Sequence, residues 1–383
     1  MLINLKDKVK SIGLMSGTSL DGIDVCLASH ENNKHELISF RSYPYSESLK
    51  QKILKQSKNE TSCVQQICSL NKELGMAYVD AINQFLKDTN TSIDDVAFIS
   101  NHGQTIWHNP ECIDGTFPST LQLGDASYIS YTFNKTVVYD FRSLDVSAGG
   151  SGAPLVPVID YLLFKEKAPA ILLNIGGISN ITYIPKSKEI GDVVAFDTGP
   201  GNMLIDGLMN RLYSMPFDKD AKVALNGNVS NELLSDLLND EYYELPYPKS
   251  TGREKYNEAY LDMILEKAKK LNLRNEDIIK TITVLTAEVI KYQIDKFFKD
   301  FDGELIAAGG GCNNPVIMEY LQSDKYTLKK IDDYNISADA KEAFAFAILG
   351  YLRLTNQPSN LRKVTGSMSD LSLGSIILPP VIK

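Results

Sequence analysis

No hydrophobic run in this chain approaches the ~18 residues of a membrane span, so an integral membrane protein is not expected. Met1 to Asp7 show no apolar stretch followed by small residues, so the pattern of a secretion signal is missing. Positive charge is not in excess. The formal net charge is -9, and binding a nucleic-acid backbone needs clustered Lys and Arg. That argues against a nucleic-acid partner. It leaves small anions open, because one or two local Arg can hold them. Cysteine is sparse: Cys26, Cys63, Cys68, Cys112 and Cys312 form an odd, irregularly spaced set. Reduced thiols follow, and no second pair completes a zinc site. No segment is low-complexity, and no Pro/Gly linker separates independent domains. A soluble cytoplasmic protein is the expectation.

The chain has 383 residues, 43% hydrophobic and 23% charged. That is length for two or three packed domains at roughly 150 residues each. Two glycine-rich loops stand out. The first is Gly13-Leu-Met-Ser-Gly-Thr-Ser-Leu-Asp-Gly22, and the second is Phe196-Asp-Thr-Gly-Pro-Gly-Asn202. Each joins small residues to a carboxylate and a hydroxyl beside a strand-like run. Without a Cβ, glycine lets backbone amides approach an anion closely. Two such loops, one from each half, suit a clamp on a polyphosphate, hence phosphoryl transfer from a nucleotide.

Patterning repeats around both loops. Val9 to Leu14, Ile23 to Ala28 and Leu37 to Phe40 read as a three-strand meander with a polar turn at Glu31 to Lys34. Helical periodicity runs from Ser46 to about Lys87, and Val96 to Ser100 is a strand ending at Asn101-His-Gly103. A second meander spans Ala168 to Ile175, Ile178 to Ile184 and Asp192 to Phe196, and a helix follows at Met203 to Tyr213. Further helices are expected at Glu276 to Phe298, Asn314 to Leu321 and Ser337 to Leu354. A buried strand, Leu305 to Ala308, runs into Gly309-Gly-Gly311, and Pro358 to Pro380 reads as an irregular tail. The echo is topological, a duplicated two-lobed plan.

The ordered set of motifs resembles the anhydro-N-acetylmuramic acid kinases, of the sugar kinase, actin and Hsp70 group. It comprises Gly13 to Gly22, His102-Gly-Gln-Thr105, Leu121-Gln-Leu-Gly-Asp125 and the block Asp140 to Pro157. It continues through Asn174-Ile-Gly-Gly-Ile-Ser-Asn180, Phe196 to Asn202, Ser250-Thr-Gly-Arg-Glu254, Gly309 to Gly311 and Val364-Thr-Gly366. The resemblance implies an α/β, two-lobed ribonuclease-H-like fold with duplicated mixed sheets flanked by helices and an ATP cleft between lobes. The lobes are expected at residues 1–138 plus about 355–383, and 139–354. It further implies ATP and Mg²⁺, a homodimer, and an unusual reaction. ATP and water convert 1,6-anhydro-N-acetylmuramic acid to N-acetylmuramic acid 6-phosphate in bacterial cell-wall recycling.

Roles follow residue by residue. The resemblance makes Asp197 the catalytic base. A carboxylate there can activate the water that attacks the anomeric carbon, as an inverting glycosidase base does. The bare motif also fits an Asp that caps the loop or the next helix. Ser16, Gly17, Thr18, Ser19, Asp21 and Gly22 are expected to meet phosphates, with Asp21 also a candidate Mg²⁺ ligand. An ordinary hairpin turn has the same composition. Asn174, Gly176, Gly177, Gly199 and Gly201 are expected beside the phosphates, and Gly309, Gly310 and Gly311 beside the nucleobase or ribose. A helix-entry turn is the other reading of those last three.

His102, Arg142 and Glu342 are implied near the sugar. Arg binds a carboxylate bidentately, and the sugar carries a lactyl carboxylate. The alternatives are a structural histidine, an ion pair of Arg142 with Asp140 or Asp145, and a solvated face for Glu342. Asp145 fits support or contact. Ser250 to Glu254 shows no chemistry of its own; Lys249 and Arg253 can shape the cleft or touch phosphate, and a structural role is the equal alternative. The chain departs from the family pattern at Asn101, where many relatives carry Ser, and at Ser151, where Gln is frequent. Two competing readings stay open: another sugar or carboxylate kinase of the group, and an ATP-switched binding protein. The latter calls for an appended substrate domain, which the chain lacks.

Overall fold

The computed structural model describes residues 8–112 and 115–380. The stretch Met1 to Asp7, read above for its lack of a secretion signal, lies outside them. The chain divides into two compact units, Met1–Leu163 with Asp339–Lys383, and Phe164–Ala338. This differs from the expected division. Residues 139–163 and 339–354 go with the first unit. The reason for the second of these is packing: the Lys341–Leu354 helix lies on the first sheet so tightly that a Cβ on Gly13 would come within 2.2 Å of the Ala343 carbonyl oxygen.

In the first unit, β1 (Val9–Ser16), β2 (Gly22–Glu31) and β3 (Lys34–Pro44) form the antiparallel meander the sequence predicts. β4 (Val96–Asn109) pairs parallel to β1, β5 (Ser119–Leu123) pairs antiparallel to β4, and β6 (Thr136–Tyr139) pairs parallel to β4. A C-terminal strand, Ser375–Ile377, pairs with β6, so the tail is less irregular than expected. β1 is buried on both faces from Ser11 onward, which matches its continuous apolar run. Ile12 and Leu14 share a core with Leu70, Leu74 and Tyr78 of the Val64–Asp88 helix. The helical periodicity read from Ser46 to about Lys87 is carried by two helices, Glu47–Gln56 and Val64–Asp88. The intervening Ser57 to Ser62 is polar, and the Ser57 hydroxyl bonds back to Ile53 O.

The second unit repeats the plan. β7 (Ala170–Ile175), β8 (Ile178–Ile184) and β9 (Val194–Pro200) form an antiparallel meander. β10 (Glu304–Ala308) and β11 (Thr327–Lys330) then add parallel to β7. In both sheets a meander's first strand carries two successive parallel neighbours, the ribonuclease-H-like order. The Met203–Tyr213 and Asn275–Phe297 helices supply Leu204, Leu208, Ile282, Val289 and Ile290 to a core with Ile171, Leu173 and Phe196. Both expected helices are thus observed. Among the described residues, no helix is long and apolar enough to cross a membrane.

Candidate active site

In the first unit, β1 ends at Ser16 and a tight turn closes with Leu20 N donating to Gly17 O at 3.2 Å. The first glycine loop is therefore a hairpin turn in geometry. Thr18 and Ser19 stand exposed at its tip. Ser16 does not offer its hydroxyl outward: it meets Tyr78 Oη at 2.6 Å and donates to Gly103 O at 3.2 Å. The Gln104 amide holds the turn from beneath, donating to Gly17 O at 3.1 Å. Gly22 is a β2–β3 pairing residue, because a Cβ there would meet Tyr43 O at 2.2 Å.

The strand β4 does not end at Asn101 as the sequence reading expects. Gly103 takes φ +81°, and its N–H is held at 3.0 Å by Asn101 Oδ1. That bulge lets the strand run on to pair with β5. It also turns His102 inward. His102 Nδ1 lies 2.7 Å from Gly103 O, and Arg142 Nε lies 3.1 Å from His102 Nε2. A guanidinium only donates, so Nε2 accepts and the proton sits on Nδ1. Burial, then the neighbouring Arg142 charge, keep this imidazole neutral, well below its usual pKa.

Arg142 also donates to Gly152 O at 2.7 Å. Burial lowers it to about 10 while Glu342 pushes back, so it stays a cation. The ion pair with Asp140 or Asp145 does not form. Asp140 accepts from Ser143 N at 3.2 Å. Asp145 is fully buried and takes Gly152 N, Asn360 Nδ2 and Thr365 Oγ1 at 2.8, 3.1 and 2.9 Å, which makes it support. The small residues from Ala148 to Gly152 wrap that carboxylate.

A cavity of about 310 Å³ gathers Ser16, Gly17, Thr18, Ser19, His102, Thr105, Arg142 and Glu342. The first turn and all three residues assigned to the sugar therefore share one wall of the first unit. Glu342 begins the Lys341–Leu354 helix beside a buried Lys341–Asp160 ion pair of 2.8 Å. Desolvation, then Asp24, raise its carboxyl, and Lys341 and Arg142 oppose this.

In the second unit, the turn after β7 and the loop after β9 are stitched together. Gly201 N donates to Gly177 O at 2.9 Å, and Asn202 N to Gly176 O at 2.8 Å. A Cβ on Gly201 would lie 2.3 Å from Gly176 O, so this glycine serves close backbone approach. Gly199 is likewise internal: its bare Cα makes room for Val289 and Tyr243. Gly177 and Gly310 remain exposed. Gly309, at φ +85°, brings its backbone against Asn174 Oδ1 and Ile175 O, and Gly310–Asn313 is a short 3-10 turn. Asn174, Gly176, Gly177, Gly309, Gly310 and Gly311 thus collect at one end of the second sheet, while Gly311 packs on Ile175.

Asp197 lies inside β9 rather than in a loop, paired with Asn180. It does not cap the following helix, whose N-cap is Asn202. Its Oδ2 accepts from Thr251 N at 3.0 Å, and no hydrogen bond reaches Oδ1 among the described residues. Desolvation raises its pKa to about 6, with the Thr251 bond opposing and Glu254 adding. Sequence reasoning missed Tyr242, whose hydroxyl donates to Asp197 O at 2.8 Å. For residues 249–254 a structural role is observed, with Lys249 O and Thr251 N bonded to Asp197. The only signal was an intact Ser250 to Glu254 motif without evident chemistry.

The family profile described as anhydro-N-acetylmuramic acid kinase matches residues 9–379. An anhydro-N-acetylmuramic acid kinase of Clostridioides difficile (strain 630) is 42% identical over 379 residues, covering 97% of this chain and 98% of its own. One from Bacillus cereus (strain 03BB102) is 40% identical over 381 residues, covering 96% and 99%. A solved structure, (R)-2-hydroxyglutaryl-CoA dehydratase component A of Acidaminococcus fermentans, aligns with a TM-score of 0.47 at 10% identity over 91% of this chain and 99% of that one. At that level the fold reading rests on the strand orders above. The sequence matches run nearly the full length of both partners, and the chain belongs to the anhydro-N-acetylmuramic acid kinase family.

Proposed function

We propose that this chain is an ATP-dependent kinase that opens 1,6-anhydro-N-acetylmuramic acid with water and phosphorylates O6. The products are N-acetylmuramic acid 6-phosphate and ADP, within cytoplasmic cell-wall sugar recycling. The observation that carries it is Asp197: one carboxylate oxygen pinned, the other without a hydrogen bond among the described residues, with the pKa raised to about 6. Such a group is ionised at neutral pH yet a stronger base than an ordinary aspartate. Oδ1 takes a proton from water as the water oxygen bonds to C1. The C1–O6 bond breaks, O6 bonds to the γ-phosphorus, and the bond to ADP breaks.

Other residues bind and orient. In the first unit, Thr18 and Ser19 with the amides from Gly17 on are the phosphate-binding groups; in the second unit, Asn174, Gly176 and Gly177 have that role. Gly309 and Gly310 lie under the nucleobase or ribose. The Arg142 fork, fixed in direction by His102 and Gly152 O, takes the lactyl carboxylate, and Glu342 accepts from sugar hydroxyls. Asp21 is exposed at the turn with Asp24 in electrostatic reach. Among the described residues no group of three or more His, Cys, Asp or Glu could hold a metal ion alone. That sparse set fits Mg²⁺ brought by ATP, which needs one or two carboxylates besides phosphates and water and which neutralises phosphate charge. Self-association as a homodimer belongs to the same reading.

The test is ADP release with Mg²⁺-ATP and the anhydro sugar in ¹⁸O water, beside Asp197→Asn. Label at C1 of a 6-phosphorylated product, with at least ~10²-fold loss in the variant, is expected. Turnover of an ordinary hexosamine instead would leave a kinase with a different acceptor.

A further inference from the structure

The motif Ser250 to Glu254 has no role in the proposed reaction, yet its backbone and that of Lys249 meet Asp197. Lys249 O accepts from Asp197 N at 3.1 Å, and Thr251 N holds Asp197 Oδ2 at 3.0 Å. The start of the segment is anchored by Lys249, whose buried ammonium donates to Tyr242 O at 3.0 Å and lies against the Phe196, Tyr242 and Phe297 rings. Its end is turned back by Lys255 N and Tyr256 N, which donate to Gly252 O at 3.2 and 3.0 Å. That turn folds the Glu254 carboxylate over Gly252, so closely that a Cβ there would lie 2.6 Å from Glu254 Oε2. Glu254 is exposed, and among the described residues no cation pairs with it.

We propose that Glu254 is a positioning residue for Asp197: the 249–254 turn sets an uncompensated negative charge beside the base while the Thr251 amide leaves Oδ1 for the water. This rests on the reading of Asp197 as base. The charge makes ionising Asp197 harder, in the same sense as its burial. The other titratable groups facing the site are Tyr242, which stays protonated far above neutral pH, and Lys249, lowered to about 8 chiefly by desolvation. Neither changes charge across the range where Asp197 titrates.

Two readouts test this on the full chain. ¹³C-carboxyl aspartate NMR follows Asp197 without substrate, its resonance identified by loss in Asp197→Asn. The pH dependence of kcat/KM follows it in turnover. Glu254→Gln is expected to lower the Asp197 midpoint by a few tenths of a pH unit, and to move the acid limb of kcat/KM the same way. Gly252→Ala keeps the charge but displaces the carboxylate, so a smaller shift in the same direction is expected. Glu254→Asp should return the midpoint toward the native value. An unmoved or raised midpoint in Glu254→Gln overturns the proposal, as does lost activity with an unmoved profile. If Asp197→Asn stays active while the NMR shift appears, the base assignment fails and the coupling stands.

Discussion

Asp197 holds its proton more tightly folded than unfolded, because a partly buried carboxylate is poorly solvated. The consequence for stability has a definite sign. Stability is full below about pH 3.8, falls as pH rises toward about 6, and stays reduced above that. Asn carries no charge and keeps an oxygen for the Thr251 amide. Asp197→Asn should therefore be more stable than the native chain at pH 7.5, by at most about 3 kcal/mol. The gain should vanish near pH 4. Urea midpoints at the two pH values check this, and a variant less stable at pH 7.5 would contradict it. At Arg142 the sequence pointed to a carboxylate binder, but the partners were not readable. The neutral His102 that aims it is 40 residues away, and the Gly152 carbonyl depends on Asp145.

Elements were legible where periodicity was strong. Both meanders and the Asn275–Phe297 helix follow their apolar patterns. β4 outran its pattern because a left-handed glycine, rather than a terminus, follows Asn101. The β2–β3 hairpin holds a feature no motif announces. His30 Nδ1 and His35 Nδ1 lie 2.9 Å apart, with Ser11 Oγ 2.7 Å from His30 Nε2 and Tyr351 against both rings. One ring must donate and the other accept, so the two cannot both be cations, and burial disfavours the charged form of each. Burial lowers His35 to about 4, and burial, then the neighbouring His35, hold His30 well below its usual value. Below pH 6.5 the unfolded chain takes protons that the folded one refuses. Stability should fall as pH drops from 6.5 toward 4, by about 1.4 kcal/mol per pH unit for each ring. Imidazole ¹⁵N shifts should show both rings neutral at pH 5.5. Titration near 6.5 would refute the arrangement.

At the scale of the molecule, each unit has a core of its own. Leu14, Leu74 and Phe85 belong to one, and Leu173, Leu208 and Ile290 to the other. Chains built this way depart from two-state unfolding. Calorimetry of the unligated protein should give a van't Hoff enthalpy clearly below the calorimetric one. Equal enthalpies would mean that the units unfold as one. The net charge of -9 acts at this scale too, disfavouring polyanion binding without affecting fold.

The sequence by itself determined the duplicated strand plan, the small-residue loops and the family, because periodicity and motif order are local properties. It marked Asp197, Arg142, His102 and Glu342 by residue type and motif. Only the tertiary structure decided which glycines face outward and which make room for neighbours. It alone decided that the Ser16 hydroxyl is spent on Tyr78, and that the Thr251 amide holds the Asp197 carboxylate more than fifty residues earlier. Those outcomes depend on contacts between segments distant in sequence, whose distances no spacing within one segment encodes.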